Sequence, residues 1–169
     1  TPTNCMDQMQ SAKKSYTTPA APSQPAGSTL EIKVMQLNVA TGNALTALVG
    51  VSHMWSDRCV KMVSMIKDNN IDIIGLQELR DAPNGYYSNI ISNLGSSYSG
   101  VCYSRGYDRE GLAIVYRKDK FELVSEGRYW LNMTDPDREL KLENGGYAAN
   151  FYRIAVYAIL REKSTGQEF

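Results

Sequence analysis

Several features are scarce or missing in this sequence, and each absence narrows the possible functions. The 169 residues carry 18 Lys and Arg side chains and 18 Asp and Glu side chains, which gives a formal net charge of +0. This balance argues against the strongly basic surface that nonspecific nucleic-acid binders use. No apolar run approaches the roughly 20 residues needed to cross a bilayer, so we expect no transmembrane segment.

Cysteine and histidine are also rare. Cys5, Cys59 and Cys102 show no Cys-x-x-Cys spacing, so they predict neither a zinc site nor a dense disulfide framework, and one disulfide stays open. We expect Cys59 in a helix and Cys102 in a strand, each as a small buried hydrophobic residue. His53 is the only histidine, and we expect it to take no part in catalysis. The compartment is left open, with secretion or a periplasmic location favoured over the cytoplasm.

The chain divides into two parts by composition. Residues 1–29 are rich in Ser, Thr, Pro, Ala and Gln and offer little to bury in a core, so we predict a flexible tail or linker. Residues 30–169 alternate apolar patterns of strand and helix type, which predicts one α/β domain. A strand, a helix that follows the predicted N-cap Ser56, and a second strand would form a βαβ unit with parallel strands.

The predicted order continues as helix 86–94, strands 98–104, 111–116 and 121–131, a long loop 132–150, and a strand 153–162 near the centre of a sheet. Residues 163–166 predict a turn, and residues 167–169 the start of a returning strand. A central strand with so short a partner would leave backbone groups unpaired. We therefore expect residues 30–169 to be the N-terminal portion of a longer domain.

Two predicted strands end in polar residues that suit a metal. The run LEIKVMQLNV ends near Asn38, and IDIIGLQELRD changes from apolar residues to Glu78 and its polar neighbours. Magnesium prefers oxygen ligands and keeps several waters, so one carboxylate with an amide carbonyl and a bound phosphate is a typical set. Because the ends of adjacent parallel strands meet at one edge of a sheet, Glu78 and Asn38 are candidate metal ligands.

These motifs resemble the endonuclease/exonuclease/phosphatase superfamily, which has the DNase-I-like fold. The resemblance rests on five pieces in order, which are MQLNV, WSDR, DIIGLQELRD, REGLAIVYRKDKFELVSEGRYWL and YRIAVYAILREKSTGQEF. It implies an α/β fold in which a two-sheet β-sandwich is flanked by helices, with this chain as roughly the first half of the domain.

The resemblance also implies roles for individual residues. Glu78 would be the principal ligand of Mg²⁺, with Mn²⁺ as an alternative, and Asn38 would help to position the metal or the attacking group. Arg80 would lie beside the substrate backbone and Arg153 near the phosphate. A substrate-rim loop would contain three further residues, Arg105, Arg109 and Glu110.

The function implied is metal-dependent hydrolysis of phosphodiester or phosphomonoester bonds, with a nuclease slightly favoured. The substrate would be a nucleic acid, a phospholipid head group or a small molecule. In the family, a His and Asp pair from later motifs completes the site, and those motifs are missing from this sequence. Losing a general base alone costs about 10² to 10⁴ in rate, so we expect the chain to be inactive without a C-terminal half, which a separate chain could supply.

Two alternatives stay open. A binding or scaffold module could keep the same fold without catalysis. An unrelated nucleotide-binding α/β domain would need a glycine-rich phosphate loop after the first strand, and VATGNALTALVG matches neither a Walker pattern nor GxGxxG.

Overall fold

The computed structural model describes residues 30–40, 54–106, 109–131, 137 and 152–169. The predicted tail 1–29, most of the predicted loop 132–150, Cys5 and His53 lie outside these ranges. In chain order, the elements are β1 Val34–Asn38, α1 Trp55–Asp68, β2 Ile73–Leu79, α2 Tyr86–Leu94, β3 Tyr98–Ser104, β4 Gly111–Arg117, β5 Phe121–Trp130 and β6 Ile154–Glu162.

The strands form two sheets. The first has the order β1-β2-β4-β3, in which β1 runs parallel to β2 and the other neighbours are antiparallel. The register of the parallel pair runs from Val34 opposite Ile73 to Asn38 opposite Gln77. The second sheet pairs β5 with β6 in antiparallel orientation. The predicted βαβ unit is confirmed, and the parallel register brings the ends of β1 and β2 to one edge.

Each face of the first sheet packs against a different layer. In one core, the apolar stripe of α1, with Ile66, and the inward residues of α2, with Ile90, pack against alternate residues of the sheet. These sheet residues include Ile74 and Val115. Residues that point to the opposite face, such as Ile73 and Tyr116, contact the second core around Phe121 and Leu160 of the second sheet. The strand period of two therefore produces a helix layer, a four-stranded sheet and a two-stranded sheet.

The start of α1 differs from the prediction. Ser56 was the predicted N-cap, but the helix begins at Trp55, and Met54 occupies the cap position without a side-chain hydrogen bond. Trp55 instead donates from Nε1 to Oδ1 of Asn89 in α2 at 2.8 Å. Contacts with the neighbouring helix thus hold the first turn where a capping side chain was expected. Among the described residues, no helix is long and apolar enough to cross a membrane.

The two described cysteines lie in the predicted helix and strand, but only Cys59 is buried as expected. Cys59 is buried in α1, Cys102 is half-buried in β3, and both are free thiols. Burial raises the pKa of Cys102 to about 12, so its thiol stays protonated near neutral pH and is a poor nucleophile.

A buried carboxylate fixes the sheet at the end opposite Asn38. Asp72, with 1% of its side chain exposed, precedes β2 and accepts a hydrogen bond from Lys33 N at 3.0 Å. Its other oxygen lies 2.7 Å from Nζ of Lys120 and 3.8 Å from Nη1 of Arg117. The carboxylate therefore ties together the chain before β1, the end of β4 and the turn before β5.

The chain turns back after β6. Glu162 accepts four hydrogen bonds from the backbone and hydroxyl groups of Ser164 and Thr165, and Gly166 has a φ of +73°. Glu168 then forms an antiparallel bridge with Arg161, which confirms the predicted turn and return. Within the described residues, β6 pairs with β5 along one side and with residues 167–169 on its other side only near its C-terminal end. The expected position at the centre of a sheet is therefore seen only at that end.

Candidate active site

A bulge at the end of β2 sets the position of Glu78. The pairing of β2 with β4 is regular as far as Leu76 and shifts its register before Leu79. Glu78 lies within this shift and has a φ of +57°, in the left-handed region that residues with a side chain seldom occupy. Bulges redirect side chains near functional sites. Glu78 lines a cavity at this edge.

Asn38 contacts Glu78 from the end of β1. Its Nδ2 donates a hydrogen bond to Oε1 of Glu78 at 2.8 Å. Its Oδ1 accepts one from the backbone N–H of Ala40 at 2.9 Å. Since a backbone N–H can only donate, Ala40 fixes which end of the Asn38 amide faces Glu78. Asn38 therefore orients the carboxylate in this geometry, and its own oxygen points toward the backbone.

The cavity between the two sheets has a volume of about 230 Å³. Its wall includes Glu78 and Asn38, the β3–β4 connection through Arg105 and Glu110, and Arg153 just before β6. Two carboxylates and two guanidinium groups thus share one small space. Such a mixture suits a ligand that carries both negative charge and a bound cation.

Arg105 and Glu110 form an ion pair in the cavity wall. Arg105 Nη1 lies 2.8 Å from Oε1 of Glu110, and their side chains are only 10% and 19% exposed. The backbone N–H of Arg105 also donates to the carbonyl oxygen of Glu110 at 2.8 Å. The resemblance placed both residues in a rim loop, but it did not reveal their pairing. Opposite charges on either side of the short strand connection were the signal in the sequence.

Two arginines predicted to bind substrate lie outside the cavity wall. Arg80 is 55% exposed and Arg109 is 61% exposed, and each has a guanidinium nitrogen 3.7 Å from a carboxylate oxygen of Asp81. The backbone also connects this group, because Ala82 N donates to the carbonyl oxygen of Arg109 at 2.9 Å. Of Arg80, Arg109 and Arg153, which were predicted to bind substrate, Arg153 alone lines the cavity with Glu78 and Asn38.

Backbone strain is concentrated at this edge. Five non-glycine residues in the described ranges have positive φ values, and four of them surround the site, namely Ala40, Glu78, Asp81 and Arg109. Each such conformation costs on the order of 1 kcal/mol. The surrounding contacts must offset that cost, and strain of this kind clusters at functional sites.

The donor set suits a hard, partly hydrated cation better than a closed metal centre. In the described residues, no three His, Cys, Asp or Glu side chains form a metal-binding group. Glu78 contributes a carboxylate whose Oε1 accepts from Asn38, and the carboxylate of Glu110 pairs with Arg105. Mg²⁺ is typically held by one or two carboxylates, with waters and substrate phosphate as the other ligands. The residues present therefore fit Mg²⁺.

Comparison with family models gives a match over most of the described chain. Residues 35–163 match the model of the endonuclease/exonuclease/phosphatase family. The chain belongs to this family. The matched range runs from the second residue of β1 past the end of β6 and includes every candidate site residue, and the fold is the DNase-I-like fold that the sequence motifs indicated. Comparison with curated proteins gives no significant match.

Solved structures support the family membership. The chain is 27% identical to an endonuclease/exonuclease/phosphatase from Bacteroides vulgatus, with a TM-score of 0.63 over 80% of this chain and 48% of that one. It is 28% identical to a mannosyl-6-phosphatase from Bacteroides thetaiotaomicron, with a TM-score of 0.67 over 82% and 49% of the chains. The human Nocturnin catalytic domain shares the fold at 21% identity, with a TM-score of 0.58 over 82% and 46%. The 169-residue chain spans about half the length of each of these three structures.

Proposed function

We propose that this chain supplies part of the active site of a metal-dependent phosphoesterase, in which Glu78 binds Mg²⁺. The observation that carries the proposal is the 2.8 Å hydrogen bond between Asn38 and Glu78 at the ends of two parallel strands. A strained bulge residue that lines a cavity with two arginines suits this role better than a solvated strand end would.

The residues of the chain would divide the work as follows. Glu78 would hold the cation, and Asn38 would keep the carboxylate oriented by donating from Nδ2. Arg153 would donate hydrogen bonds to phosphate oxygens, for which the forked guanidinium is well suited. Arg105 would neutralise Glu110 so that the cavity does not repel an anionic ligand. When bound, Mg²⁺ supplies positive charge to the phosphate oxygens.

The substrate we propose is a phosphomonoester or a phosphodiester. The 28% identity to a mannosyl-6-phosphatase supports a small phosphomonoester. The exposed pair Arg80 and Arg109 beside the cavity supports a longer anionic chain such as nucleic acid. Because the net charge is +0, binding would depend on this local charge rather than on a basic surface.

We further propose that catalysis requires a C-terminal half of the domain, joined to this chain or separate from it. Support comes from the length of the solved relatives, since this chain covers 48% and 49% of the two Bacteroides structures. On its own, the chain would bind metal and phosphate weakly and turn over slowly or not at all.

The test is a Mn²⁺ titration by isothermal calorimetry, followed by hydrolysis assays. Glu78→Gln should lower Mn²⁺ affinity by about tenfold or more, while the matched control Glu31→Gln, at an exposed position, should leave it unchanged. Assays with p-nitrophenyl phosphate and bis(p-nitrophenyl) phosphate, with and without the C-terminal half, would separate monoesterase from diesterase activity. Equal Mn²⁺ binding by Glu78→Gln and the unaltered chain would rule out Glu78 as the ligand and favour a binding or scaffold module.

A further inference from the structure

Arg58 connects the first turn of α1 to the backbone that follows β1. Its Nη1 donates hydrogen bonds to the carbonyl oxygen of Val39 and, at 3.3 Å, to that of Ala40. In the described residues, the parallel pairing of β1 with β2 ends at the bond from Val39 N to the carbonyl oxygen of Gln77 at 3.0 Å. Arg58 therefore fixes the backbone just beyond the last hydrogen bond between β1 and β2.

An aromatic pair fixes the guanidinium of Arg58. The rings of Trp55 and Tyr86 are stacked, with centroids 3.6 Å apart and planes 3° from parallel. The guanidinium carbon of Arg58 lies 5.3 Å from the Trp55 ring centroid and 6.0 Å from that of Tyr86. Trp55 is held in turn by its hydrogen bond to Asn89. Cation–π contact at these distances restricts the guanidinium to one place.

The contacts continue from Arg58 to the candidate metal ligand. Ala40 has a φ of +56°, a conformation that needs support from its surroundings. In this conformation its N–H bonds Oδ1 of Asn38, which leaves the Asn38 amide nitrogen to bond Glu78. The N–H of Ala40 belongs to the same planar peptide unit as the carbonyl of Val39, so release of that carbonyl by Arg58 would also release the N–H. The orientation of Asn38 thus depends on contacts made by the helix.

We propose that Arg58 is a positioning residue, which fixes the backbone after β1 and thereby holds Asn38 against Glu78. Its consequence for catalysis rests on the proposed function, whereas its effect on Asn38 does not. A guanidinium suits the task because it is planar and can bond two carbonyl oxygens while it lies against aromatic rings. Packing of α1 needs no such group, since Met62, Val63 and Ile66 already bury the helix against the sheet.

The experiment combines NMR with a metal titration on the 169-residue chain. We expect Arg58→Gln to speed hydrogen exchange of the Ala40 amide by about tenfold or more, and to move the side-chain amide signals of Asn38 toward solvent-exposed values. We also expect it to weaken Mn²⁺ binding by about tenfold, as loss of outer-shell support does in other metal sites. A purely structural role would lower stability without moving the Asn38 signals.

Two controls keep the result specific. Lys61→Gln removes the same charge from an exposed position on the same helix, and Val63→Ala weakens the core of α1; both should leave the Ala40 and Asn38 signals in place. If Arg58→Gln does not fold, Arg58→Lys takes its place, with the same direction of change expected. Unchanged Asn38 and Ala40 signals in Arg58→Gln would overturn the positioning role, whatever the change in Mn²⁺ affinity. If Arg58→Gln moves the Asn38 signals but the unaltered chain binds no Mn²⁺, the proposed function is overturned and the positioning role stands.

Discussion

Oε1 of Glu78 lies 2.8 Å from Nδ2 of Asn38, and the two residues stand at the ends of adjacent parallel strands. The amide cannot turn over without leaving the Ala40 N–H unpaired. The contact is therefore specified twice, once by strand register and once by the turn after β1.

The left-handed conformation of Glu78 should cost stability. Glycine adopts this conformation without strain, so Glu78→Gly should raise the free energy of unfolding by about 0.5 to 1 kcal/mol while it abolishes metal binding. Urea denaturation measures the first effect and Mn²⁺ titration the second. Gln77→Gly is the matched control in the same strand, and it should destabilise, because Gln77 has no positive φ. A loss of stability in Glu78→Gly would contradict the assignment of strain.

Asn38→Asp should create a repulsive carboxylate pair. The new oxygen would lie near 2.8 Å from Glu78 Oε1, the distance now spanned by a hydrogen bond. Like charges this close favour a shared proton, so the variant should lose about 1 kcal/mol of stability at neutral pH and recover part of it on acidification or on addition of Mg²⁺. Thermal unfolding at several pH values, with Asn38→Ala as the uncharged control, measures this. A pH-independent loss would argue that the two side chains do not meet.

Glu162 should make stability depend on pH. Burial alone would raise the pKa of Glu162, but hydrogen bonds from Ser164 and Thr165 outweigh burial and lower it from 4.5 to about 2. A depressed carboxyl pKa contributes stability above the unfolded value and loses it as the pH falls through the folded value. The stability advantage over Glu162→Gln should therefore be full above about pH 5 and disappear toward pH 2. Urea unfolding of both proteins across this range measures it, and a constant difference would refute the explanation.

Asp72 should matter for stability and not for the site. It is 1% exposed and lies 2.7 Å from Lys120, whose own side chain is 40% exposed, and loss of a hydrogen bond to a buried charged group costs roughly 1.5 to 3 kcal/mol. Asp72→Asn should approach the lower end of that range, because the amide can still accept the Lys33 N–H. Asp119→Asn, which breaks the exposed pair with Arg117, should cost less than about 1 kcal/mol. Denaturant titrations compare the two, and equal losses would show that burial is not the cause.

Much of the fold could be predicted because periodicity reports burial. The bounds of α2 agree with the apolar spacing of residues 86–94, and the change from apolar to polar residues at Glu78 marks the end of β2. Parallel pairing of β1 and β2 was enough to predict that Asn38 and Glu78 meet. The roles of both residues in metal binding remain predictions.

The remainder depends on local geometry that periodicity does not contain. A bulge changes the direction of the side chains after it, so the sequence alone could not place Arg80 outside the cavity wall. Arg109 lies in the connection between β3 and β4, where no apolar periodicity reports the backbone path. The start of α1 was misjudged because Trp55 is held by Asn89, which is 34 residues away in the chain. The reach of Arg58 to two backbone carbonyls is equally invisible, since backbone groups leave no mark in a sequence.

The most direct test of the central claim is paramagnetic broadening by Mn²⁺ in NMR spectra of the chain. At low Mn²⁺ concentration, we expect the first signals to broaden to be the side-chain amide of Asn38 and the backbone amides of Gln77, Glu78 and Leu79. In Glu78→Gln the same signals should stay sharp. Broadening that begins instead at exposed carboxylates such as Asp57 or Asp119, or that is the same in Glu78→Gln, would contradict a metal site at Glu78.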